Sequence, residues 1–374
     1  MEPALPFADL FKTVSPPPIR VLPVRKATIE ARLLKSTWSW RLASPLAACV
    51  ALAAFLAAPA RVTAREEPPP ARTAPLFEFH SNFWVNLHQV LFHEAWLRAG
   101  KPVRGLQSAA PLSAAGMSRQ DEADWRAAVS FYAAHFATRQ QHGDDQLIQV
   151  NDDLAGQPDD GARLTPAGLP PELIAVLQRA ARVYRRYWWP AHDESNEDWI
   201  ASQAQRLHHL GPGLATAMTK DLHQQWPAAP IRVDVCHYVV ALGYALTTLP
   251  PHITFSSSDP FNPDLDRFEL LFHEASHTFA DTTMNALETE GRAQHKEVGD
   301  LWHSLLFYTS GVELRRLLPA SEQATFTPYG YRNRVYGRGH WPAYRRVLQA
   351  DWQPYLDGKI DFTDAIHSMV ADLP

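Results

Sequence analysis

Apolar residues recur every three to four positions in five stretches, 77–99, 121–141, 171–189, 197–210 and 213–226, and this spacing predicts helices with one buried face. Gly100-Lys101-Pro102, Gly168-Leu169-Pro170-Pro171 and Gly211-Pro212-Gly213 punctuate them as breaks. The period then changes. Ile231-Arg232-Val233-Asp234-Val235-Cys236 alternates apolar and polar as a strand does, and His252-Ile253-Thr254-Phe255-Ser256 reads as a second, so strands are expected only within about 231–257. Helical spacing resumes with Leu265, Phe268, Leu271, Phe272, Ala275 and Phe279, with Asn262 placed to cap that helix and Pro263 to open it. A further apolar helix is expected from Leu301 with Asp300 as its cap, and two more near 341–356 and 361–372. The pattern predicts a mainly helical α+β fold with a small sheet just ahead of one buried helix. Residues 77–230 would form a helical layer along one wall of a cleft, and 231–374 the remainder of the body.

Composition adds a compartment. With 374 residues, 46% hydrophobic and 11% aromatic, the chain can bury a large core. Residues 1–64 hold eight Lys or Arg against three Asp or Glu, leaving 27 basic and 37 acidic residues beyond them, a balance that argues against nucleic acid as a partner. Basic residues up to Arg41 precede the apolar run Leu42–Ala60, and a Pro-rich spacer follows over 65–76. This order reads as an export signal, or as an uncleaved membrane anchor through 43–60, and so predicts a periplasmic or extracellular protein. Once a signal is removed, Cys236 is the one remaining cysteine, so no intrachain disulfide is available.

Candidate chemistry concentrates in His273-Glu274-Ala275-Ser276-His277. On a helix, positions i and i+4 project from one face, so both imidazoles can grip one ion while Glu274 takes a proton from the water that the ion activates. Leu91-Phe92-His93-Glu94-Ala95-Trp96-Leu97 nearly repeats this stretch, but Leu97 stands where the second imidazole is needed. Two short strands leading into an H-E-x-x-H helix resemble the zincin metallopeptidases over roughly residues 231–315. The resemblance implies a zincin-like fold of gluzincin type, one Zn2+ ion, and an extended substrate lying along the sheet edge beside the metal.

A catalytic zinc takes three protein ligands and keeps one position open. His303, the conspicuous polar residue of an otherwise apolar helix, is favoured as the third because a helix holds a ligand more rigidly than a loop. Glu297 is the alternative, at about the separation from His277 that thermolysin-type enzymes use. Glu313 trails, being some 15 Å beyond His303 along a continuous helix. Asp281, one turn past His277, is a candidate carboxylate for orienting the ligand imidazoles, and the resemblance to thermolysin-type enzymes implies the same for Asp300, which stands one position early. Tyr308 is a candidate oxyanion donor, and His192, in Trp189-Pro190-Ala191-His192-Asp193, a candidate substrate-binding residue. The expected function is an exported zinc metallopeptidase acting on a peptide or small amide. The alternatives are a metal-dependent amidase or esterase on a non-peptide substrate, and a non-catalytic exported protein braced by a structural metal or a histidine pair.

Overall fold

The computed structural model describes residues 75–101, 112–139, 141, 144–164, 168–239, 245–259 and 264–374. The export signal over 1–64, the segment 43–60, most of the spacer, and the Asn262 and Pro263 helix start lie outside the described residues.

The fold is predominantly helical α+β around one mixed four-stranded sheet. Its strands are β1 (Phe77–His80), β2 (Ile231–Cys236), β3 (Ala245–Thr248) and β4 (His252–Ser256), ordered β1-β2-β4-β3. β1, β2 and β4 run parallel, and β3 is antiparallel to β4 at one edge. β1 corrects the helix expected from residue 77. Phe77-Glu78-Phe79-His80 alternates with a period of two, and Phe77 pairs with Ile231 in register while its ring meets Phe272 edge-on at 5.4 Å. The helical stretch, α1 (Phe83–Arg98), starts only after Asn82, whose side chain accepts from the backbone N–H groups of Trp84 and Val85 at 2.9 and 3.0 Å.

Strand alternation gives the sheet two unlike faces. Ile231, Val233, Val235, Ile253, Phe255 and Ala245 join an apolar core with α5 (Trp189–Asp221), α6 (Asp264–Ser276) and α8 (Leu301–Leu317). The opposite face is polar and meets α1 and α3 (Asp145–Ala155). Asn86 donates to the Val235 carbonyl at 3.1 Å, Asn151 to Thr254 Oγ1 at 3.0 Å, and His252 bonds Asp152 and Asp234. A second apolar cluster unites α1 and α3 with α2 (Arg119–His135) and α4 (Pro171–Tyr187).

Two boundaries differ from expectation. α5 runs unbroken through Gly211-Pro212-Gly213, because Trp199, Leu214, Ala215 and Met218 are buried along it and outweigh the one backbone donor that Pro212 lacks. α6 stops at Ser276. Its end tightens into a 3₁₀ turn in which the N–H groups of His277, Thr278 and Phe279 donate to the carbonyls of Glu274, Ala275 and Ser276. Phe279 is thereby buried, and Asp281 begins a new helix, α7 (Asp281–Ala293).

Candidate metal centre

The end of α6, the 3₁₀ turn that follows it and the first turn of α8 bring three imidazoles together. His273 Nε2 stands 3.4 Å from His277 Nε2 and 3.3 Å from His303 Nε2, and one donor from each ring lies within 4.8 Å of the others. Two Zn–N bonds of about 2.0–2.1 Å meeting at the tetrahedral angle place their nitrogens about 3.3–3.4 Å apart. Hydrogen bonding accounts for the arrangement less well: one ring nitrogen carries either a hydrogen or an in-plane lone pair, yet His273 Nε2 takes part in both contacts. The three rings are placed so that one cation can be held by all of them. Burial, then the neighbouring His277 and His303, hold His273 well below the usual histidine range, and burial brings His277 to about 4, so both rings carry the lone pair a metal needs.

Aromatic walls fix the ring planes. Phe307, one turn after His303 on α8, lies face to face with His273 at 3.5 Å and 14°. Trp302 meets His277 edge-on at 5.5 Å, and Trp341 does the same to His303 at 5.5 Å. The His273 Nδ1 atom is buried without a hydrogen-bond partner, so the Phe307 face orients this ring in place of the usual carboxylate or carbonyl. Sequence reading passed over Phe307, although its position four residues after His303 is a signal that the two share a helix face.

Glu274 is buried, and Thr247 Oγ1, on the edge strand β3, sits 2.6 Å from its Oε2 and 3.0 Å from its backbone carbonyl. Burial raises this carboxyl to about 7, with the Thr247 hydrogen bond working in the opposite sense. β3 thus ties the base candidate to the sheet edge.

The other candidates fall elsewhere. Glu297 is exposed in the loop between α7 and α8, outside the trio. Glu313 faces Arg316 and Asp221 at the far end of α8. Asp281 is exposed at the start of α7, because α6 does not continue to carry it over the His277 face. Asp300 occupies the cap position of α8 but is exposed and makes no side-chain cap bond; its carbonyl receives the N–H groups of His303 and Ser304. Tyr308 donates to Gln353 Oε1 at 2.8 Å, roughly 140° around α8 from His303, and burial raises its hydroxyl out of the ordinary tyrosine range. His192 belongs to a separate group: it bonds the Tyr184 hydroxyl at 2.9 Å and stacks on His237 at 4.0 Å, and burial followed by His237 and His93 lowers it to about 3.

Comparison of the chain with family models, with curated proteins and with solved structures finds no match in any of the three.

Proposed function

We propose that the chain is an exported zinc-dependent hydrolase of zincin-like construction, and that it acts as a metallopeptidase. The observation that carries this reading is that His273 Nε2 lies at tetrahedral-ligand spacing, 3.4 and 3.3 Å, from the Nε2 atoms of His277 and His303, beside a buried glutamate in the H-E-x-x-H order. His273, His277 and His303 would hold one zinc ion. An all-imidazole set matches the three-histidine pattern found among catalytic zinc sites and departs from the two histidines and one glutamate of thermolysin-type gluzincins. When bound, zinc makes water acidic enough to ionise near pH 7 and polarises the scissile carbonyl.

The chain's own groups supply the rest. Glu274 accepts the proton of the attacking water at its carboxylate and returns it to the leaving amine. Thr247 orients that carboxylate from β3. An extended peptide adding to the β3 edge would run past Glu274, which favours a peptide over a small ester as substrate.

The test is Glu274→Gln with zinc content measured alongside hydrolysis of a panel of peptides, non-peptide amides and esters. The expected outcome is hydroxamate-sensitive peptide cleavage by the wild type and a loss of about 10²–10⁴-fold in the variant at unchanged zinc. Undiminished hydrolysis in the variant rejects the base assignment. Cleavage confined to non-peptide substrates makes the protein an amidase or esterase, and zinc binding without any hydrolysis leaves a structural metal.

A further inference from the structure

The near-repeat of the H-E sequence is also buried, in surroundings that parallel those of the first. Leu91-Phe92-His93-Glu94-Ala95 lies on α1, which follows β1, as Leu271-Phe272-His273-Glu274-Ala275 lies on α6, which follows β4. Sequence gives the α1 copy no second imidazole. The fold brings one from the end of β2: Tyr238, which follows His237, has its ring 4.2 Å from that of His93 and 4.6 Å from that of His237, and the His237 backbone N–H donates to Asn86 Oδ1 on α1 at 2.9 Å. Here too the rings are clamped face to face, His93 by Tyr238 at 4.2 Å and His237 by His192 at 4.0 Å, each pair within 7° of parallel.

Four polar atoms are left over in this group. His93 Nδ1 and Nε2, Glu94 Oε1 and His237 Nδ1 are buried without a hydrogen-bond partner, and His93 and Glu94 are each only 3% exposed. A buried polar atom left without its bond is costly, so these orphaned groups call for a guest. His93 Nδ1 stands 3.6 Å from Glu94 Oε1, too far for a hydrogen bond and close to the ~3.4 Å that separates two ligands of a tetrahedral zinc. Two imidazoles and a carboxylate are zinc-class donors.

We propose that His93, Glu94 and His237 form a second binding site for a divalent ion of the zinc class. Among the described residues only the first trio has its donors all within 4.8 Å, so this second set closes as the ion enters. A half-turn of the His237 ring about its Cβ–Cγ bond puts each nitrogen where a ring carbon stood while keeping the stack on His192. His192 serves as the wall of the site, its Nδ1 already engaged by Tyr184.

The experiment is zinc stoichiometry by equilibrium dialysis and elemental analysis on the full chain, with His93→Gln, Glu94→Gln and His273→Gln variants checked for fold by circular dichroism, and a cobalt(II) titration of the wild type as the measurement that needs no variant. Two equivalents are expected in the wild type and one in every variant, with two resolved cobalt phases. A single equivalent lost only in His273→Gln, or a second equivalent retained in both His93→Gln and Glu94→Gln, overturns the proposal and leaves ordered water as the guest. A single equivalent lost in His93→Gln but kept in His273→Gln instead removes the centre on α6 and α8 and keeps this one.

Discussion

His252 makes the stability of the fold depend on pH in a direction opposite to that of a typical buried histidine. Its Nδ1 lies 2.8 Å from Asp152 Oδ1 and its Nε2 2.7 Å from Asp234 Oδ2, and Arg232 closes on the same Asp234 at 2.6 Å. Burial disfavours the imidazolium, but the two carboxylates outweigh burial and raise His252 from 6.5 to about 9. At about 1.36 kcal/mol for each pH unit, the rise corresponds to about 3 kcal/mol of stability. Because the folded value lies above the unfolded one, this contribution is fully present below pH 6.5, shrinks as pH rises, and is lost above about 9. Urea unfolding of the wild type and His252→Gln between pH 5.5 and 10 measures it, since titrating groups other than His252 and its partners Asp152 and Asp234 contribute alike to both proteins. The stability difference between the two should fall by about 3 kcal/mol from the acid to the alkaline end, with the change concentrated between pH 6.5 and 9. A difference that stays constant with pH would refute a charged His252 in the folded protein.

Two further outcomes bear on the centre at α6 and α8. His303→Gln should weaken zinc binding by more than the ~100-fold that loss of a group merely orienting a ligand can cost, while Glu297→Gln leaves it unchanged, as read by competition with a chromophoric chelator; the reverse order would return the third ligand to the loop. Phe307→Leu keeps the core filled but removes the flat face against His273, so zinc affinity should drop about tenfold with little change in unfolding midpoint, and unaltered affinity would mean the ring is held by something else.

The helical class and the strands near 231–257 follow from local pattern. His303 stands out as the polar residue of an apolar helix, which favours it over Glu297, but its meeting with His273 and His277 depends on how that helix docks, which no local pattern fixes. What stayed hidden was set at long range. β1 is four residues long and carries too short an alternation to compete with the helix that follows it; its identity rests on pairing with Ile231–Asp234, some 150 residues away. Gly211-Pro212-Gly213 has a local breaking preference that packing on both sides of α5 overrides. The stop of α6 at Ser276 has no glycine or proline to announce it, and that stop is what removes Asp281 from the His277 face. His192 and His237 read separately as isolated polar residues, and only the docking of the β2 end against α1 and α5 makes them neighbours.

Anomalous diffraction at the zinc edge from crystals of the zinc-loaded protein tests the central claim most directly. The account predicts an anomalous peak about 2.0–2.1 Å from the Nε2 atoms of His273, His277 and His303 together, with a fourth position open to solvent. Loaded crystals with no peak among those three rings, or a peak that reaches only one of them, would contradict it.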